Sequence, residues 1–199
     1  MTLPGSYFDG MYESSDDPWA FRSRWYEARK RDVSLSALPR AAYGSVFEPG
    51  CAIGSLTSGL AERSNRVLAM DVSEAALGFA AGVVPDHVTL VRGSVPDDWP
   101  DGHFDLTVVS EIGYYMDLGA CQRLARLAVS SAAELLAVHW RHPVEDYPLD
   151  GDAVHRILAE AAERAGMARL VGHLETDFRL DVWAHDHRSV ARRTGVPGS

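Results

Sequence analysis

Cysteine is scarce: Cys51 and Cys121 are the only two in 199 residues, far apart and without metal-ligand spacing. That excludes a disulfide scaffold and a clustered zinc site, and it points to reduced thiols. No apolar run approaches the 18 residues of a membrane-spanning helix, and no secretory leader pattern is visible. A cytoplasmic location is the expectation. Positive charge is also short, 19 Lys and Arg against 28 Asp and Glu, for a net charge of −9. Such a field disfavours non-specific attraction to nucleic acid or anionic lipid and favours a neutral or cationic partner. There is no internal repeat and no linker long enough to divide the chain. The length suits one domain with a full core.

What the chain does have is one dense stretch, Ser45-Val46-Phe47-Glu48-Pro49-Gly50-Cys51-Ala52-Ile53-Gly54-Ser55-Leu56-Thr57. A short apolar strand reaches an acid, turns through glycines and enters a helical run. Glycine lets the backbone approach a ligand closely, and the helix that follows aims its free N–H groups at the same space. A second acid, Asp71, ends the apolar run Val67-Leu68-Ala69-Met70, 71 − 50 = 21 residues beyond the first glycine. That is near the ~20-residue offset of a ribose-binding carboxylate in a nucleotide-binding βαβ unit.

The dinucleotide fingerprint G-x-G-x-x-G is missing, because Ala52 stands where its second glycine would be. The pattern acid-x-Gly-x-Gly-x-Gly resembles the first motif of class I S-adenosylmethionine (SAM) methyltransferases, with Ala52 a departure. Glu48 before the turn suits the positive ammonium of SAM and would repel a pyrophosphate. The resemblance implies SAM as cofactor, with S-adenosylhomocysteine (SAH) as product. Glu48, Gly50, Ala52, Gly54, Asp71 and Val72 would lie around it. Where an acid often binds the adenine amino group in these enzymes, Ser94 and the backbone of Val95 would serve.

Strands and helices alternate beyond the turn. Strands are expected at Ser45–Glu48, Val67–Asp71, Val88–Arg92, Phe104–Ser110 and Glu134–His139, with helices near Ser55–Arg63, Glu74–Gly82 and Leu118–Ser131. Near-continuous apolar strands such as Leu106-Thr107-Val108-Val109 belong to a parallel sheet covered on both faces. A last helix over Gly151–Ala165 precedes Ala168–Glu175 and Phe178–Ala184, which read as an antiparallel hairpin. The expected fold is therefore α/β: a Rossmann-like class I methyltransferase sandwich of five parallel strands plus a C-terminal antiparallel hairpin, with helices on both faces. Residues 1–43 form an aromatic helical segment. Asp16-Asp17-Pro18 marks a helix start, and Phe21, Trp25 and Ala28 recur at helical spacing to about Leu38. This segment either packs across the sheet or places Tyr7, Trp19 and Tyr26 as a lid, where aromatic faces would attract a sulfonium. Residues 44–190 form the core and 191–199 a frayed tail.

Chemistry is expected at the strand ends. The fourth strand ends Ser110-Glu111-Ile112-Gly113-Tyr114-Tyr115, and the fifth ends His139-Trp140-Arg141-His142, with His155 following. The Asn/Asp-Pro-Pro-aromatic motif of adenine and glutamine-amide N-methyltransferases is absent, which with the negative charge argues against nucleic-acid substrates. No tidy metal triad is present. These strand ends, together with Asp17-Pro18-Trp19 and Trp25-Tyr26-Glu27, resemble nodulation protein S and its relatives over about Tyr7 to Trp183. Those are small SAM-dependent N-methyltransferases acting on the free amine of a deacetylated glucosamine end of a chitooligosaccharide. The resemblance implies methyl transfer to a small-molecule acceptor, most simply the amine of an amino sugar. His139 would act as base, Glu111 would attract the ammonium from beside the cofactor, Tyr114 or Tyr115 and Arg141 would hold acceptor hydroxyls, and His155 is the alternative base. O-methylation of a hydroxylated acceptor and SAM binding without catalysis stand as alternatives.

Overall fold

Apolar runs without polar alternation become the inner strands of one seven-stranded sheet. The computed structural model describes all 199 residues. In chain order its elements are α1 (Gly5–Ser14), α2 (Trp25–Ala37), β1 (Val46–Pro49), α3 (Ser55–Ala61), β2 (Val67–Asp71), α4 (Glu74–Ala80) and β3 (Val88–Arg92). Then come β4 (Phe104–Ser110), a 3-10 turn (Gly113–Tyr115), α5 (Leu118–Ser130), β5 (Ala132–Trp140), α6 (Gly151–Arg164), β6 (Ala168–Leu174), β7 (Phe178–Ala184) and α7 (Val190–Arg193).

The strand order is β3-β2-β1-β4-β5-β7-β6. Strands β1 to β5 pair in parallel, while β7 pairs antiparallel with both β5 and β6. The expected hairpin thus adds to the sheet through its second strand. Along β4 and β5 neighbouring side chains enter opposite cores: Val109, Leu135 and Ala137 pack with α5 and α6, whereas Val108, Leu136 and Val138 pack on the other face. Period-two geometry turns a continuous apolar run into two buried faces, each lined by alternate residues. Asp117 and Asp150 cap α5 and α6 by accepting the N–H groups of Ala120 (3.1 Å) and Ala153 (2.6 Å), which fixes where both helices start.

The front segment departs from the expected single helix. Gly5–Ser14 is a helix of its own, and the next does not begin until Trp25. Asp17 does act as a cap, accepting from the N–H groups of Phe21 (2.8 Å) and Arg22 (3.0 Å), but only for a turn. Trp25, placed on the apolar face by its spacing, is 75% exposed. The buried positions of α2 are Glu27, Lys30 and Ser34. The C-terminal segment is also anchored: Arg193 reaches the buried Glu134 at 2.6 Å.

Strand order reverses between β1, which continues toward β2, and β4, which continues toward β5. A crevice opens outside the carboxyl ends of strands at such a switch point.

Candidate active site

The glycine turn occupies one wall of that crevice. Gly50 has φ +74°, and a Cβ there would stand 2.2 Å from Ile112 Cγ2, so a larger residue would have to displace the Ile112 side chain. Ala52 adopts φ +49° despite its side chain, a conformation that costs roughly 1–2 kcal/mol. Its N–H donates to Asp71 Oδ2 at 2.8 Å, which holds the turn against the end of β2. Gly54, also at positive φ, caps the start of α3 and is not among the residues lining the larger cavity over the strand ends.

A cavity of about 300 Å3 lies over these strand ends. Gly50, Ala52, Asp71, Val72, Ser94, Val95 and Glu111 line it, as do Trp19, Tyr26 and Tyr115. A smaller cavity of about 70 Å3 shares Glu27, Lys30, Gly50, Ala52 and Glu111 with it and reaches Glu48. Asp71 accepts a second N–H, from Ser73 at 3.0 Å, and burial raises its pKa above the usual carboxylate range. Glu48 is 2% exposed. Burial raises its pKa to about 8 against the pull of the nearby Thr57 hydroxyl, and neither its Oε2 nor Thr57 Oγ1 makes a well-formed hydrogen bond. A buried, unpaired carboxylate oxygen is costly, and this one belongs to a residue on the wall of the smaller cavity.

The N-terminal residues close one side. Leu3 N–H donates to the Tyr115 carbonyl at 2.8 Å, and Thr2 bonds Asp117. Phe8 and Tyr12 of α1 line the cavity, while Tyr7 does not: it turns edge-on to Phe8, whose own ring meets Tyr115. Sequence spacing did not separate Tyr7 from Phe8 because α1 itself went unread in a polar, glycine-bearing stretch.

At the end of β4, Glu111 sits at φ +57° with both oxygens committed. Oε1 accepts from Lys30 Nζ. Oε2 accepts from the Tyr114 hydroxyl at 2.5 Å and from Trp140 N–H at 2.8 Å. Lys30 also pairs with Glu27 Oε2 at 3.1 Å and lies 5.0 Å from the Tyr26 ring centre. Burial works against the Lys30 charge, but the two carboxylates outweigh it and hold the pKa above its ordinary value. Lys30 and Glu27 are site residues that the sequence reading missed. Their signal was there: Glu27, Lys30 and Ser34 follow a helical i, i+3, i+7 spacing that makes one polar stripe.

Three expected catalytic residues lie outside the cavity. His139 is fully buried behind it: Gly113 N–H donates to Nε2 at 3.3 Å, and Nδ1 meets His155 Nε2 at 3.2 Å. His155 Nδ1 in turn meets Asp181 Oδ2 at 2.7 Å. One assignment satisfies the whole chain, with each neutral imidazole protonated on Nδ1. Burial lowers the pKa of both histidines. With its Nε2 lone pair already accepting and no cavity wall to its name, His139 is not placed to take a proton from an acceptor, and neither is His155. Arg141 pairs with Asp152 at 3.0 Å and donates to the Glu175 carbonyl at 2.6 Å, tying β5 to α6 and to the β6–β7 turn. The expected strand already included His139, but position near a strand end did not reveal that this side chain packs into the core.

The sheet order, the glycine turn after β1 and the acid after β2 define a class I methyltransferase fold. The sequence model of the nodulation protein S (NodS) family matches residues 12–138, and the chain belongs to that family. Nodulation protein S of Rhizobium tropici is 30% identical over 127 residues, which are 62% of this chain and 52% of that protein. The aligned part of the chain thus spans about half the length of that curated relative. A candidate methyltransferase from Pseudomonas syringae is 44% identical, covering 81% of this chain and 99% of its own, with a TM-score of 0.69. N-methyltransferase NodS from Bradyrhizobium japonicum WM9, solved with SAH, shares the fold at a TM-score of 0.80 and 22% identity, over 92% of this chain and 98% of that one.

Proposed function

We propose that the protein transfers a methyl group from SAM to the amine of a small-molecule acceptor, with an amino sugar the first candidate. The observation that carries this reading is the pair of buried carboxylates flanking the glycine turn. Glu48, which lines the smaller cavity, suits the cofactor's ammonium, and Asp71, fixed by two backbone N–H groups, suits its ribose hydroxyls. Val72, Ser94 and Val95 also line the cavity and would hold the adenine. Bound SAM supplies a methyl group on a positively charged sulfur, so the protein's own work is to bind, orient and exclude water. Glu111, locked by Lys30, Tyr114 and Trp140, keeps the wall in one shape. Family membership supports the methyl-transfer reading, and so does the 44%-identical relative.

An amine is favoured over a hydroxyl because the cavity wall brings two carboxylates, Glu27 and Glu111, around a single lysine. The test is incubation with methyl-labelled SAM and a panel of amino sugars, simple amines and their hydroxyl counterparts. Label should appear on amines. Transfer to hydroxyls alone, or failure to bind SAM or SAH by calorimetry, would overturn the proposal.

A further inference from the structure

Three carboxylates line the large cavity, and their hydrogen bonds separate them. Asp71 accepts a backbone N–H on each oxygen. Glu111 has both oxygens occupied by Lys30, Tyr114 and Trp140. Glu27 makes one ion pair, through Oε2 to Lys30 at 3.1 Å. Its Oε1 has no protein donor, yet it is not sealed among the buried unpartnered atoms, and the side chain keeps 11% exposure on a residue that lines the cavity. One carboxylate oxygen at the wall is therefore free to receive a ligand. Tyr26, its neighbour on α2, and Trp140 line the same cavity and pack edge to face at 5.4 Å.

We infer that Glu27 receives the acceptor's ammonium on Oε1 and takes its proton, an inference that rests on the methyl transfer to an amine proposed above. The ammonium N–H bond breaks with its electron pair staying on nitrogen, where it becomes the attacking lone pair. The proton forms an O–H bond on Glu27 and later leaves to solvent through the cavity. The groups facing Glu27 are Lys30, Glu111, Arg24 and Tyr26. Burial raises its pKa most; Lys30 and Arg24 lower it, Glu111 raises it, and the net is upward. A base is most effective with a pKa near the working pH, and burial moves a carboxylate in that direction. Lys30, held protonated between two acids, has no lone pair to offer.

Glucosamine and glucose, which differ by ammonium against hydroxyl at one carbon, serve as probes in calorimetric titration of the SAH-saturated protein. The wild type should hold glucosamine about tenfold or more tighter than glucose, the size of a charge-assisted hydrogen bond. That preference should fade as pH falls through the Glu27 titration, since only the ionised carboxylate attracts the ammonium. Glu27→Gln should abolish the preference while SAH affinity stays within about twofold. If Glu27→Gln loses SAH, Glu27→Asp decides, and it must hold both SAH and part of the preference. No preference in the wild-type SAH complex, or a preference kept by Glu27→Gln, overturns the inference. Failure of the wild type to bind SAH overturns the methyltransferase reading instead.

Discussion

At the scale of the residue, burial changes the chemistry of Glu48. Its pKa of about 8 in the folded chain compares with about 4.3 when unfolded. Between those values the folded state holds one proton more, so this group's contribution to stability falls as pH rises through the window. Glu48→Gln removes that slope. Its stability relative to wild type should improve from pH 5 to pH 8, by up to about 1.4 kcal/mol per unit, measured by urea unfolding. A cationic ligand group works the other way, because it needs the carboxylate ionised. SAH affinity of the wild type should rise with pH toward about 8 and that of Glu48→Gln should not; parallel profiles would show that Glu48 does not meet the ammonium. Ala52 offers a simpler case. Glycine relieves its left-handed strain at some entropic cost, so Ala52→Gly should stabilise by up to about 1 kcal/mol without weakening SAH. A loss of stability on urea unfolding would mean that Ala52 packs more than its φ suggests. Glu48, Ala52 and Asp71 were legible because motif spacing fixes backbone geometry. His139 and Arg141 were not, because whether a strand-end side chain meets the cavity or the core depends on where the next helix packs.

Elements were legible where local pattern and tertiary demand agree. Strands β2, β3, β4 and β7 begin and end where the apolar runs do, and α5 and α6 start where the helical runs at Leu118 and Gly151 were expected. Helix α2 was harder. An apolar stripe normally marks the buried face, but here the buried stripe is Glu27, Lys30 and Ser34, because the helix packs over a polar site. It is fastened twice, by Lys30 to Glu111 and by Arg29 in a bidentate pair with Glu175 at 2.8 and 2.7 Å. The preceding residues contribute Thr2, Leu3, Phe8, Tyr12, Trp19 and Phe21 to the cavity but no strand to the sheet. Deleting residues 1–24 should therefore leave far-UV circular dichroism dominated by an intact sheet and its helices, while SAH affinity drops by about tenfold or more as the wall is lost. Loss of the folded signal would instead make the segment part of the core. Retained SAH affinity would deny it any role over the cofactor.

Across the whole molecule, the sheet order puts two polar systems back to back. In front lies the cavity with its carboxylates; behind it runs Gly113–His139–His155–Asp181, which links the β4 turn, β5, α6 and β7. No sequence pattern announces that chain, since its members come from four elements that only the sheet topology assembles. Its imidazoles are held neutral by burial. Below about pH 6.5 the unfolded state takes up protons on these residues that the folded state refuses, so their burial costs stability on acidification. His139→Gln leaves buried hydrogen-bonding groups poorly matched and should cost about 1–3 kcal/mol at pH 8. The variant also lacks the residue that unfolding would protonate. The gap to wild type should therefore close as pH falls below about 6.5, by up to about 1.4 kcal/mol per unit, in urea unfolding between pH 8 and pH 5. A constant gap would mean that His139 titrates alike in both states and that its burial imposes no proton cost. Turnover adds a second reading of the same variant: with His139 behind the wall, its replacement should leave the pH profile of kcat/KM in place. A profile that loses its acidic limb would return His139 to the chemistry as a base.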